Sequence, residues 1–209
     1  MKKIDLETYP RRALFEAFKD REVPVFSVTN LIEISAFKPF IDQNGYGFFV
    51  AISFLISKAV NQVPELRHRL ICGELFEFEK VDPGYTVLLD DRTFSFCDSK
   101  YFEDFEAYRK YAEKRIDAVK KRPDLETWDK HGMFFITNLP WFSFTSITHP
   151  FGEQYASIPI ISIGKYFEQN GSLIVPIGIQ VHHGLVDGIH IGDFYENLSA
   201  MLRTPADYY

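Results

Sequence analysis

The sequence predicts an α/β fold in which helices flank one large mixed β-sheet, and three observations predict it. Strand-like and helix-like segments are interleaved along the chain without strict alternation. The run "GFFVAISFLISKAVNQV" (47–63) is apolar nearly all round, the pattern of a helix buried between other elements. No internal repeat, low-complexity tract or Pro/Gly/Ser linker divides the 209 residues, so a single domain spanning 1–209 is expected.

Taken in order, "PVFSVTNLIEIS" (24–35) reads as one or two extended segments and "AFKPFIDQ" as a short helix after them. The buried helix 47–63 follows, closed by Pro64. "ELFEFEKV" and "YTVLLDD" read as two strands joined by a turn at "DPG" (82–84), where Pro83 and Gly84 supply turn chemistry. "YFEDFEAYRKYAEKRIDAVKKRP" (101–123) is an amphipathic helix: Phe102, Phe105, Tyr108, Tyr111 and Ala112 recur at helical spacing. "GMFFITNLPWFSFTSI" (132–147) contains strand runs interrupted at Pro140. "SIPIISIGKYF" and "GSLIVPIGIQVHHG" read as a strand, a turn at Asn170–Gly171 and a long strand. The last helix, 187–202, turns Ile189, Ile191, Phe194, Leu198 and Met201 or Leu202 inward.

Composition narrows the function. Twenty-one phenylalanines, in a chain that is 46% hydrophobic, fill a sizeable core and leave aromatics for a pocket or an interface. A net charge of −6 argues against a general nucleic-acid binder, while leaving room for a basic patch that meets one phosphorylated cofactor. Cys72 and Cys97 lie far apart without metal-ligand spacing, which suits two buried thiols in a reducing cytoplasm. "MKKIDLETYPRR" has no apolar stretch behind its lysines, and no apolar run approaches the roughly 20 residues of a membrane span. A cytoplasmic protein is expected, with no nucleic-acid or membrane partner.

The densest chemistry is "VHHGLVDGIH", Val181 to His190. His182 and His183 are adjacent on a strand and so point to opposite faces; only one can look into a given cleft. Asp187 falls where a helix begins and suits an N-cap. A lone His-x-x-x-Asp pair also arises by chance, as a buried histidine ahead of a capping aspartate. A metal site from His182, His183, Asp187 and His190 would need helical spacing, which a histidine pair ahead of the helix lacks. No metal is expected.

The whole string says more than its parts. "HHGLVDGIH", set behind "PIGIQV", resembles the C-terminal signature of the chloramphenicol acetyltransferase family. The shorter "HHGLVDG" is shared with other coenzyme-A-dependent acyltransferases, among them dihydrolipoyl acyltransferase cores and the longer nonribosomal condensation domains. "RRALFEAF", "AVNQVPELRHRL", "VDPGYTV", "LPWFSFTS" and "IGKYF" match in order. The resemblance implies that family's two-layer sandwich and O-acetylation of a small hydroxylated acceptor, chloramphenicol by default, with acetyl-coenzyme A as donor. It also implies a homotrimer whose active sites lie between subunits. A different alcohol or a thiol as acceptor, or a non-catalytic trimeric ligand-binding protein, are the alternatives, and the lack of a lipoyl domain or linker speaks against the thiol.

Residue by residue, the resemblance makes His183 the general base that takes the acceptor's hydroxyl proton, a task an imidazole suits. Thr137 stands where the family has an oxyanion-stabilising serine, four residues before Trp141; it keeps the hydroxyl and adds a methyl. Asp187 is implied to pair with Arg11, with Arg12 as its rival, in an ion pair that holds the site's shape. Ser162, for the family's threonine, and Lys165 are implied at the coenzyme. The family's lysines just before the 47–63 helix are missing: none lies between Lys38 and Lys58. Phe18, Phe26, Phe94, Phe96 and Phe135 are implied to line the acceptor pocket, Phe18 in place of a tyrosine. His149 lies where the family's pattern is one residue longer, so a remodelled loop is expected.

Overall fold

The computed structural model describes residues 1–127 and 129–209. The elements run β1 (Lys2–Lys3), α1 (Arg12–Phe18), β2 (Val25–Glu33), α2 (Phe37–Gln43), α3 (Phe48–Gln62), β3 (His68–Ile71) and β4 (Glu74–Glu77). They continue with β5 (Asp82–Leu88), β6 (Phe94–Asp98), α4 (Phe105–Lys121), β7 (Met133–Leu139), β8 (Ile160–Gly164), β9 (Phe167–Gln169), β10 (Ser172–His182) and α5 (Gly188–Arg203). The main sheet has the order β2-β10-β8-β7-β5-β6, with β9 also on β10. β7 is parallel to β5 and β8, and the other pairings are antiparallel, so the sheet is mixed as expected.

β10 explains why the layers form. Along its eleven residues, Val175, Ile177, Ile179 and Val181 alternate onto one face and join the hydrophobic core. α3 and α5 supply the other side of that core, and α4 packs beside α3. Tyr195 of α5 donates its hydroxyl to the Ile177 carbonyl (2.7 Å), fastening helix to sheet. The opposite face is crossed by the segment that links β7 to β8. That segment comes close: a Cβ on Gly178 would lie 2.7 Å from Ile147 Cγ2, so only glycine fits beneath it.

The helices follow their sequence signals. α3 has no polar stripe and is buried along most of its length; its Ser57 hydroxyl donates back to the Ser53 carbonyl (2.6 Å). α4 starts later than the pattern suggested, because Asp104 caps it by accepting from the Ala107 N–H (2.8 Å). Phe105, Tyr108 and Ala112 are buried, while Phe102 lies before the helix. In α5, Ile191, Phe194, Leu198, Met201 and Leu202 all turn inward, but Ile189 is 69% exposed. Two residues from Ile191 is about 200° around a helix, so both cannot face the core.

Other expectations need correction. "DPG" is not a turn between two paired strands: Asp82–Leu88 is one strand, and Pro83 precedes the point where β6 joins it. Gly84 is there for space, since a Cβ would sit 2.9 Å from the Phe135 ring. The reversal lies at Leu89–Thr93, where Arg92 has a positive φ of 70° and Asp91 accepts from the Thr93 N–H. β4 belongs to a separate three-stranded sheet, β1-β4-β3, which the sequence pattern did not suggest. Cys97 is buried as expected, but Cys72 is exposed in the Cys72–Gly73 turn between β3 and β4, both residues at positive φ. The Asn170–Gly171 turn between β9 and β10 is present, again with positive φ at both positions.

One buried arginine ties the small sheet to the large. Arg69 is fully buried and donates to the carbonyls of Leu66, His68, His131 and Met133 at 2.6–2.9 Å. Burial pulls its pKa down to about 9, yet it stays charged at neutral pH. Among the described residues no helix is long and apolar enough to cross a membrane.

Candidate active site

At the end of β10 the two adjacent histidines diverge as the strand geometry requires. His182 is buried, and its Nδ1 accepts the Gly184 N–H (3.0 Å). Burial, helped by neighbouring His183, pulls its pKa down to about 4, so it is neutral at pH 7. His183 turns the other way, with its backbone N–H on the Pro24 carbonyl (2.8 Å) and its side chain 36% exposed. Phe18 of α1 stacks on the imidazole at 4.1 Å between centroids, and Phe26 of β2 flanks it at 4.5 Å. Aromatic contacts of this kind contribute about 0.5–1.5 kcal/mol each, enough to hold the ring's plane.

Asp187 lies beneath that ring. Its Oδ1 is 3.3 Å from His183 Nδ1, without the alignment of a hydrogen bond, and its Oδ2 forms an ion pair with Arg11. The Arg11 guanidinium, against the opposing effect of burial, holds the Asp187 carboxyl below the usual carboxylate range. Arg12 instead reaches Glu7 (2.7 Å) on the surface, which decides between the two candidates. Asp187 takes the N-cap position of α5, and its own N–H donates to His190 Nδ1 (2.9 Å). His190 then turns toward Glu65 (3.6 Å). Among the described residues no group of three or more His, Cys, Asp or Glu is arranged to hold a metal ion.

A second cluster forms on the helix-free face. A cavity of about 370 Å³ is lined by Phe94, Phe96, Phe135 and Thr137, together with Thr86 and His149. Thr137 lies in register with Ser162 on the parallel neighbour β8, and its hydroxyl accepts a long bond from Thr86 (3.4 Å). The five phenylalanines expected in one pocket therefore divide: three line this cavity, and Phe18 and Phe26 hold the imidazole.

The two clusters are apart within one chain. Thr137 is opposite Ser162, and Ser162 is opposite Gly178, so two strand spacings, about 10 Å, separate Thr137 from β10. His183 is five residues further along, about 16 Å at the rise of a strand. His183 is not among the residues lining the cavity.

Of the residues assigned to the coenzyme, Ser162 is buried with its hydroxyl 2.6 Å from His149 Nε2. Lys165 is exposed just past β8, its backbone N–H on the Phe142 carbonyl (2.9 Å). Nearby, Lys38 lies over the Tyr166 ring at 5.8 Å and pairs with Asp42. Three parts of the site went unassigned in the sequence: Thr86, Gln180 and the role of His149. Only His149 left a signal there, the shortened loop.

The relatives of this chain point one way. A family model described as chloramphenicol acetyltransferase matches residues 1–199. The chain is 35% identical over 199 residues to "Chloramphenicol acetyltransferase" of Proteus mirabilis, covering 90% of this chain and 88% of that one. It is 32% identical over 210 residues to "Chloramphenicol acetyltransferase 3" of Escherichia coli, covering 97% of each. A solved structure titled "chloramphenicol acetyltransferase" superposes with a TM-score of 0.88 at 25% identity, over 96% of this chain and 99% of that one.

Proposed function

The chain belongs to the chloramphenicol acetyltransferase family, and from that membership we propose that residues 1–209 work as one domain that moves the acetyl group of acetyl-coenzyme A onto a hydroxyl of chloramphenicol. The observation that carries this reading is the Arg11–Asp187 ion pair beneath an imidazole stacked on Phe18 and flanked by Phe26. A histidine held in that way, with one edge open, is suited to accept a proton from a hydroxyl.

In the reaction, His183 removes the acceptor's hydroxyl proton as the oxygen attacks the thioester carbonyl. Thr137 donates to the oxyanion that forms. The carbon–sulfur bond then breaks, and the proton passes from the imidazole to the departing thiolate. Arg11 and Asp187 hold the geometry and take no proton. Lys165 meets a phosphate of the coenzyme, which this chain binds without lysines ahead of α3. Ser162 supports the oxyanion side from β8.

The complete site is made by two copies of the chain in a cytoplasmic homotrimer, the imidazole of one facing the cavity of the next. The spacing supports this: about 10 Å across the sheet and about 16 Å along it is too far for one proton transfer. The test mixes chloramphenicol, acetyl-coenzyme A and a thiol-trapping dye. Wild type is expected to release coenzyme A, and His183→Ala to lose at least about 100-fold in kcat. Drug binding without thiol release, unchanged in His183→Ala, overturns the enzymatic reading. Sedimentation as a monomer overturns the trimer.

A further inference from the structure

The shortened loop brings a second imidazole into the acceptor cavity. His149 lines that cavity, and its Nε2 lies 2.6 Å from the Ser162 hydroxyl. One carboxamide grips its backbone from both sides: the His149 N–H donates to Gln180 Oε1 (2.7 Å), and Gln180 Nε2 donates to the His149 carbonyl (3.1 Å). Gln180 is itself buried in β10, and its Oε1 also accepts from Ser27 (3.1 Å). The ring is thus aimed by the sheet, through both its backbone and its Nε2.

Most other polar groups of the lining satisfy one another, and Glu126 is exposed to solvent at its edge. Lys130 pairs with Asp98, Thr86 with Thr137, and the Tyr155 hydroxyl donates to the Thr127 carbonyl. Phe94, Phe96, Phe135 and Ile160 supply apolar wall. His149 Nδ1 differs: among the described residues it has no partner. Two tautomers are open to a neutral ring, and each leaves Nδ1 one hydrogen-bonding role. If Nε2 accepts from Ser162, Nδ1 is a donor; if Nε2–H donates, Nδ1 is an acceptor. A hydroxyl can answer either.

We propose that His149 is a specificity-determining residue, selecting acceptors that carry a second hydroxyl besides the one acetylated. Burial pulls the His149 pKa below its ordinary value, which keeps the ring neutral and both tautomers open. The selection follows from desolvation: an acceptor that fills the cavity without offering that hydroxyl takes Nδ1 out of water and leaves it unpaired. This proposal rests on the acetyl-transfer reading above.

The test compares chloramphenicol, which has a secondary hydroxyl beside its primary one, with the analogue in which hydrogen replaces the secondary hydroxyl. Wild type is expected to favour chloramphenicol at least tenfold in kcat/KM. His149→Leu should shrink that preference below threefold, and His149→Gln, which keeps hydrogen-bonding atoms, should retain most of it. A loop merely loosened by the substitution lowers both acceptors alike and leaves the ratio intact, which overturns the proposal. So does a wild type that shows no preference. If wild type releases coenzyme A with neither acceptor, the acetyl-transfer reading is what fails. The selectivity is then read by calorimetric binding of the two compounds: a tenfold preference that disappears in His149→Leu sustains it, and equal binding by wild type ends it.

Discussion

The two halves of the site are built on opposite plans. Around His183, the imidazole and its aspartate come from one stretch of five residues, and the distant parts are Arg11, Phe18 and Phe26. Around Thr137, each part comes from a different strand or loop: Thr86 from β5, Thr137 from β7, Ser162 from β8, Gln180 from β10 and His149 from the crossing segment. The first half is held by a charge pair and ring stacking. The second is held by neutral hydrogen bonds across a sheet. The proposed base has to keep its aim, and a partly buried ion pair provides that; the proposed pocket is closed by a loop over a sheet, a part of a fold that tolerates change.

If that contrast is right, the strongest single response should come from the charge pair. Arg11→Ala leaves Asp187 partly buried and unpaired, with an expected loss of about 3 kcal/mol in denaturant unfolding. Asp187→Asn strands the arginine instead, and the double variant should lose less than the two singles summed. Additive losses would show that the two side chains are not coupled.

Acid should act on the same end of the molecule. The folded pKa of His182 is lowered to about 4, below the roughly 6.5 of an unfolded histidine, so the unfolded chain binds the proton first. Its contribution is complete above pH 6.5 and is lost as pH falls from there toward 4, an expected drop on the order of 3 kcal/mol. His68, also lowered by burial, adds in the same direction. The Asp187 pair fails only at lower pH, because its folded pKa lies below the usual carboxylate range. Unfolding followed against pH should flatten in His182→Gln; an unchanged slope would remove His182 as the cause.

The cavity half should respond mainly in substrate handling. Gln180→Leu strips two hydrogen bonds from the His149 backbone, with an expected cost of about 1–2 kcal/mol in stability. KM for the acceptor should rise severalfold while KM for acetyl-coenzyme A stays put; equal rises in both would mean the loop does not shape the acceptor pocket alone. Arg12→Ala sets the floor. Its pair with Glu7 is exposed, so stability should change by less than about 0.5 kcal/mol and turnover should not change.

Legibility followed the same division. His183, Asp187 and the helix behind them sit in a contiguous run, and strand alternation alone separates His182 from His183. The five phenylalanines could not be apportioned, because which rings meet depends on where α1 and β2 end up relative to β5, β6 and β7. "DPG" misled for a local reason: proline and glycine are turn formers by themselves, yet Pro83 sits at the start of a strand and Gly84 makes way for Phe135. The small sheet was hidden by strands of two to four residues, too short to show a period.

Taken alone, the order of residues determined the buried α3, the amphipathic α4 and α5, the long β10 and the HHGLVDG junction, since each is written in neighbours a few positions apart. The folded chain decided what no local pattern can express. It paired Arg11 rather than Arg12 with Asp187, set the cavity apart from the imidazole, and brought His149 onto Ser162 under the grip of Gln180. Those choices depend on side chains up to 176 positions apart, whose meeting is fixed by strand register and layer packing rather than by any propensity of their own.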